Sequence, residues 1–339
     1  MDKEQVLTMK NECLFPDSCE KSAFVETHIS WIVLTDRYAF KIKQPVSLPF
    51  LDFSTLEKRK YYCIQEVELN KRLAPDMYTG VIPVNESLQA AGSANNEDII
   101  DYAVQMKRMD NDKEMHKLLA ENKVTDRQIE NLAKKIAAFH KNTRIIKSAF
   151  NTTGMADDFS DIANVLNENK EKQPLSGTYK NIVFACIEKA REFLNQHRSL
   201  FNQRIIEGFK RDCHGDLNAT NIFLYDDPVI FDCIEFNEEF RHIDVLNDIA
   251  FLCVDLEFYE RKDLSNFFVE KYMQAFGIAD GGPTNSLFNF YKCYRANIRA
   301  KVTLINLKEH PDDQHKLEDV KKYINLMNEY AGQISKPNH

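Results

Sequence analysis

The order of pattern types along the chain predicts an α+β fold. Three observations carry that expectation: β-like runs interrupted by one helix fill the first third, a polar connector follows, and the rest is helical with a single embedded hairpin. Elements segregated in this way argue against a doubly wound sheet, which needs strands and helices to alternate.

Residues 30 to 43 open the β region. Trp31-Ile32-Val33-Leu34 precedes a turn at Thr35-Asp36-Arg37, then Tyr38 to Lys43. The two-residue period puts Ala39, Lys41 and Lys43 on one face and Phe40 and Ile42 on the other. Ser54-Thr55-Leu56-Glu57 fits a capping box, so a helix is expected from Ser54 to about Leu73, before Pro75. On it Tyr62, Glu66, Leu69 and Leu73 share a stripe, which turns Glu66 inward. Gly80 to Val84 and Ile99 to Met106 read as two strands, joined through the Asn- and Ser-rich stretch from Asn85 to Asp98 as a surface hairpin.

Helical patterns dominate from Lys113. Thr125-Asp126-Arg127-Gln128 is a second capping box, and Ile129, Leu132, Ala133, Ile136 and His140 share one face. The connector from Asn142 to Thr178 should hold a helix near 160–169, and a longer helix should cover about 179–200. A hairpin is expected over 221–233, turning at Asp226-Asp227-Pro228, and about four helices after Arg241. This order divides the chain into a β-rich part at 1–106 and a mainly helical part at 113–339, joined through 107–112.

The 339 residues exceed what one small core usually holds, and 44 Lys plus Arg against 52 Asp plus Glu give a net charge of −8. An acidic chain repels phosphate backbones, which argues against nucleic-acid binding. No uncharged apolar run approaches a membrane span and Met1 leads into no secretory segment, so a cytoplasmic protein is expected. The eight cysteines form no C-x-x-C pair and read as reduced core thiols, with Cys13 and Cys19 as the one candidate disulfide or metal pair.

The chemistry concentrates in Cys213-His214-Gly215-Asp216-Leu217-Asn218-Ala219-Thr220-Asn221, followed after a hairpin by Val229-Ile230-Phe231-Asp232. Asp and Asn favour turns singly. Together they supply what phosphoryl transfer requires: one carboxylate to receive a hydroxyl proton, and hard oxygen donors for Mg²⁺. His214 lacks partners at zinc spacing and reads as an orienting residue.

This segment resembles the catalytic loop of the aminoglycoside phosphotransferase and protein-kinase-like superfamily, whose kinase form is H-R-D-x-x-x-x-N and whose small-molecule branch carries His-Gly-Asp. The resemblance implies a two-lobed kinase-like fold and an ATP- and Mg²⁺-dependent transferase, with GTP as the alternative nucleotide and a small-molecule hydroxyl as acceptor. It makes Asp216 the catalytic base and Asn221 and Asp232 the metal ligands. Ile243 to Phe251 is similar to the family's D-x-x-x-D-I-A-F element, in which the position of Asp248 supports the catalytic loop, and Phe139-His140 to a pair beneath that loop. Tyr38-Ala39-Phe40-Lys41 is similar to V-A-I-K: Ala39 would roof the base pocket and Lys41, or Lys43 on the same face, would reach the phosphates with Glu66 as partner. The base would sit against backbone near Lys107 to Met109.

Four further segments, Thr27 to Trp31, Leu51 to Leu56, Asp232 to Phe236 and Tyr294 to Ala296, resemble a bacterial phosphotransferase-like family of unassigned substrate. Some of its members append a P-loop domain; this chain has no G-x-x-x-x-G-K-[ST] and reads as the stand-alone form. Thr27-His28-Ile29-Ser30 stands where a Gly-rich loop would lie, with Thr27 and Ser30 hydroxyls as candidate substitutes. Asp232 is followed by Cys-Ile-Glu rather than Phe-Gly, and Glu235 is an open candidate for substrate or a second metal. Asp244 reads as a helix N-terminal carboxylate. The alternative to an enzyme is a catalytically weak, kinase-like regulatory module that binds nucleotide. Neither the acceptor nor the oligomeric state is written in the sequence.

Overall fold

The computed structural model describes residues 1–90, 98–167, 175–277, 283–309 and 312–334. They form two compact units. The first comprises Met1–Lys117 with Thr220–Phe240, the second Leu118–Ala219 with Arg241–His339. The hairpin after Asn221, which the sequence order groups with the helical lobe, thus packs with the first unit.

In the first unit, α1 (Lys3–Asn11) precedes β1 (Ala23–Glu26), β2 (Ser30–Leu34) and β3 (Tyr38–Lys43). A small hairpin, β4 (Ser47–Leu48) and β5 (Leu51–Asp52), leads into α2 (Leu56–Asn70), then β6 (Tyr78–Asn85) and β7 (Ile99–Lys107). The sheet order is β1-β2-β3-β7-β6, antiparallel throughout. β3 is central, and both its faces are covered. Phe40 and Ile42 join Trp31 and Val33 against Val6 and Met9 of α1. Ala39 lies on the opposite face with Val104, Met106 and the α2 residues Cys63 and Val67. The expected alternation holds. Burying a residue such as Phe40 contributes about 2–3 kcal/mol.

The α2 cap shifts by one residue from the sequence expectation. Thr55 caps the helix, its side chain accepting from the Lys58 amide. Ser54 instead donates its hydroxyl to Asp52 at 2.5 Å. The short hairpin just before the helix supplies a nearer acceptor, and the cap passes to the next hydroxyl. Glu66 is fully buried, as its stripe implies. β6 and β7 pair as a hairpin, and residues 91–97 of its connection lie outside the described residues. β9 (Ile222–Phe223) and β10 (Val229–Ile230) form the hairpin expected over 221–233.

The second unit is helical. After α3 (Met115–Ala120), α4 (Asp126–Asn142) carries the expected capping box, Thr125 with Gln128, and all five residues of its expected apolar face are buried. The connector holds two short helices rather than one, α5 (Thr152–Ser160) and α6 (Ile162–Asn167); positions 168 and 169 of the expected helix lie outside the described residues. The long helix likewise divides at His197 into α7 (Gly177–Gln196) and α8 (Arg198–Ile206). β8 (Lys210–Asp212) pairs with β11 (His242–Asp244).

Helices α9 (Val245–Phe258), α10 (Lys262–Phe276), α11 (Pro283–Glu309) and α12 (Gln314–Ile334) complete the unit. α9 is buried on every side from Val245 to Glu257, the mark of a central helix. Asp244 caps it, accepting from the Leu246 amide, and also pairs with Arg204. No helix among the described residues is long and apolar enough to cross a membrane.

Cys13 and Cys19, the one candidate pair in the sequence, form a disulfide, so the reduced-thiol reading does not extend to them. The other six cysteines are buried and form no disulfide.

Candidate active site

Each unit carries its own set of the residues singled out in the sequence. In the first, Lys41 is the hub. Its Nζ lies 2.9 Å from Glu66 Oε1 and 2.6 Å from Asp232 Oδ1. Lys43, the competing lysine, is also engaged: its Nζ lies 2.7 Å from Glu66 Oε2 and pairs with Glu235. The two-residue period of β3 places both ammonium groups over α2, and Glu66 gives one oxygen to each. Burial opposes the charge on Lys41, but Asp232 and Glu66 outweigh it and hold its pKa well above the ordinary value. Burial likewise pushes the Glu66 carboxyl up, and the two lysines pull it below its ordinary range. Glu235 is pushed up by burial, with Lys43 opposing. Glu235 is buried, and its carboxylate is paired with Lys43.

Asp232 has φ +61°, in the left-handed region. Two contacts stabilise this conformation: its amide donates to the Tyr78 hydroxyl at 3.2 Å, and the Cys233 amide to Asn70 Oδ1 at 2.8 Å. The Phe231 amide donates to the Asn221 carbonyl at 3.0 Å, tying the two expected metal-ligand positions across the hairpin. The Asp232 side chain is 42 % exposed, and Asn221 is buried. A carboxylate and a carboxamide are hard oxygen donors, and their chemistry fits Mg²⁺.

Ala39 is buried in a cluster with Met77, Met106 and Phe223, against which Met109 and Phe231 also pack. Lys107 is the last residue of β7 and Met109 follows it, and the Lys107 amide donates to the Met77 carbonyl. The β1–β2 turn is closed on itself. Thr27 Oγ1 accepts from the amides of Ile29 and Ser30 and donates to the Ser30 carbonyl. Ser30 is fully buried. The hydroxyls expected to substitute for a Gly-rich loop are thus held inside the turn or the core.

In the second unit, Asp216 is half-buried in the loop between β8 and the hairpin. Gly215 before it has φ +86°, a conformation that glycine adopts without strain. Asp248 accepts from the His214 amide at 3.1 Å and the Gly215 amide at 2.8 Å. Its Oδ2 also lies 3.0 Å from His140 Nε2, and His140 Nδ1 lies 2.8 Å from the Tyr272 hydroxyl. Burial pushes the Asp248 carboxyl up, but the His140 contact and the charges of His214 and Arg295 bring it down to about 2. His214 Nδ1 accepts from the Asp216 amide at 3.3 Å, an orienting contact.

Three supports of this loop were not legible as such. Asp255 accepts from the Ala219 amide at 2.9 Å and pairs with Arg299 at 3.1 Å. Arg295, noted only within a resembling segment, donates to the Gly215 carbonyl. Asp248 and Asp255 are seven residues apart on α9, two helical turns, which brings both carboxylates to one face. A second carboxylate seven residues after Asp248 on the same mostly apolar helix is the signal that could have revealed Asp255.

The described residues build the kinase-like fold of aminoglycoside phosphotransferases and choline kinases. Choline kinase from Cryptosporidium parvum superposes with a TM-score of 0.55 over 97 % of this chain and 95 % of its own, at 12 % identity. The GDP complex of aminoglycoside 2'-phosphotransferase-IIIa gives 0.53 over 98 % and 99 %, at 13 % identity. The AMP-bound complex of spectinomycin phosphotransferase gives 0.52 over 98 % and 99 %, at 11 % identity.

In sequence, the chain is 34 % identical over 288 residues to uncharacterized proteins of Mycobacterium tuberculosis and Mycobacterium bovis, covering 84 % of this chain and 55 % of theirs. The chain thus spans about half the length of the curated relatives it matches. No family model matches it.

Proposed function

We propose that the protein is a phosphotransferase that moves the γ-phosphoryl group of ATP, or of GTP, to a hydroxyl of a small molecule. One observation carries this reading: a single buried lysine is ion-paired at once with the inward carboxylate of α2 and with the carboxylate that follows the β9–β10 hairpin. Such a lysine can exchange an anionic partner for a phosphate oxygen while its second partner holds it in place. The fold neighbours, a choline kinase and two antibiotic phosphotransferases, support the same chemistry.

In this reading residues 1–106 bind the nucleotide, 107–112 form the hinge, and 113–339 supply the acceptor side, except for 220–240, which packs with the first unit and brings the metal ligands. The base rests near Ala39, Lys107 and Met109, and Lys41, held by Glu66, contacts the phosphates. Asn221 and Asp232 hold Mg²⁺, which when bound neutralises phosphate charge. Asp216 accepts the proton of the acceptor hydroxyl as the oxygen attacks in line, and its amide contact with His214 fixes its direction. The test is a screen of pooled metabolites with γ-labelled ATP, using Asp216→Ala as the blank. Labelled product from wild type alone is expected; equal labelling by the variant would refute the role of Asp216.

The closed β1–β2 turn favours a second reading, a weakly catalytic regulatory module that binds nucleotide. Slow ATP hydrolysis without acceptor, lost in Asp232→Ala, would decide for the enzyme.

A further inference from the structure

Lys43 and Glu235 have no part in the chemistry just described, yet both are buried charges. Burying an ion pair costs several kcal/mol per ion, which its mutual attraction must offset. This pair is also continuous with the proposed phosphate lysine. Asp232, Lys41, Glu66, Lys43 and Glu235 form an unbroken chain of alternating charge. Both ends of the chain lie in one four-residue loop, 232–235. Lys41 ties the loop to β3 at its first residue and Lys43 at its last. Between them the Cys233 amide is tied to Asn70 of α2.

The charges do not balance. Three carboxylates face two ammonium groups, and the four members from Lys41 to Glu235 are neutral among themselves. Asp232 is the one member whose side chain is substantially exposed, at 42 %, and so the carboxylate of the network that a cation can reach.

We infer that Lys43 and Glu235 are positioning residues, which hold the 232–235 loop to β3 so that Asp232 is set for the metal before nucleotide arrives and Glu66 keeps Lys41 in place once Lys41 turns to a phosphate. This rests on the phosphotransferase reading. It implies a metal loop latched at both ends, in contrast to a segment that swings between states.

The test is ATP titration by calorimetry, once in Mg²⁺ and once in EDTA, on wild type, Glu235→Gln and the double variant Lys43→Met with Glu235→Met. The double variant removes one charge of each sign, so the network keeps its net charge, and apolar replacement of a buried pair is often tolerated. Wild type should bind ATP more tightly with Mg²⁺. The double variant should keep metal-free ATP affinity within about twofold while losing about tenfold of the Mg²⁺ enhancement, with Glu235→Gln losing about threefold. An enhancement left intact in the folded double variant overturns the inference; if that variant does not fold, an intact enhancement in Glu235→Gln does so. Wild type with no Mg²⁺-dependent ATP binding would instead sink the phosphotransferase reading itself, and this inference with it.

Discussion

Arg295 donates from Nη1 to the carbonyl oxygen of Gly215 at 3.1 Å, one residue before Asp216. Its Nε donates to Asn247 Oδ1 at 2.8 Å, and its guanidinium lies 4.7 Å from the centre of the Phe251 ring. Asp248 holds the amides of His214 and Gly215 from the same helix, α9. The peptide planes flanking the glycine are thus fixed from both sides, and with them the direction in which Asp216 leaves the backbone.

Arg295→Met should therefore lower kcat by about 10- to 100-fold while the KM for ATP moves by less than about threefold, since displacement of a catalytic group acts on the chemical step. Arg295→Lys should recover little, because a point ammonium cannot span the Gly215 and Asn247 acceptors at once. Steady-state kinetics on an acceptor found in the labelling screen checks this. A rise in KM alone would place Arg295 outside the positioning of Asp216.

Replacing Asp216 by Asn keeps the shape of the side chain and removes the proton acceptor. Turnover should fall by about 10²–10⁴, the usual worth of a general base, with ATP affinity within about threefold of wild type. Single-turnover phosphate transfer and equilibrium nucleotide binding, measured on the same preparation, separate the two. If affinity falls as far as turnover, the carboxylate is contributing to nucleotide binding instead.

Local patterns made much of this legible. The alternation in Tyr38 to Lys43 fixed which side chains share a face, and the stripe through Glu66 turned it inward, because period and burial are properties of a single element. The choice between Lys41 and Lys43 was not legible, and the structure shows why: Glu66 has two oxygens and serves both. Asp255 and Arg299 were hidden for a different reason. The seven-residue spacing from Asp248 places Asp255 on the same face of α9, but its partner, the Ala219 amide, lies 36 residues away, and the spacing does not name that partner. The cap at Thr55 was missed by one residue because the competing acceptor, Asp52, belongs to a two-residue strand too short to announce itself.

The Cys13–Cys19 bridge closes a short loop that carries Asp17. Asp17 accepts from Thr35 Oγ1 at 2.6 Å and from the Arg37 amide and Nε at 2.8 Å each, fastening the loop to the β2–β3 turn. Removing the bridge frees the unfolded chain, and closing a loop of this length is worth about 2 kcal/mol. Cys13→Ser should lower the melting midpoint by about 3–8 °C in oxidising buffer. Wild type with reductant should melt like the variant, and the variant should not respond to reductant. A wild-type midpoint indifferent to reductant would show that the bridge contributes nothing to stability.

The acid limb of stability should report on Asp248. Its folded pKa, about 2, lies below its ordinary value of 3.8. The folded state therefore favours the ionised carboxylate, and the resulting stabilisation is fully present above pH 3.8 and lost as pH falls toward 2. A shift of this size corresponds to about 2 kcal/mol at neutral pH. Asp248→Asn should be less stable than wild type by at least about that amount at pH 7, since the amide cannot accept from His214, Gly215 and His140 together. The gap attributable to ionisation should shrink to about half by pH 3. Urea unfolding of both proteins at intervals from pH 7 to pH 3 measures it. A gap that stays constant across that range would mean the Asp248 carboxylate is not preferentially ionised in the fold, and its hold on the amides before Asp216 would then owe nothing to charge.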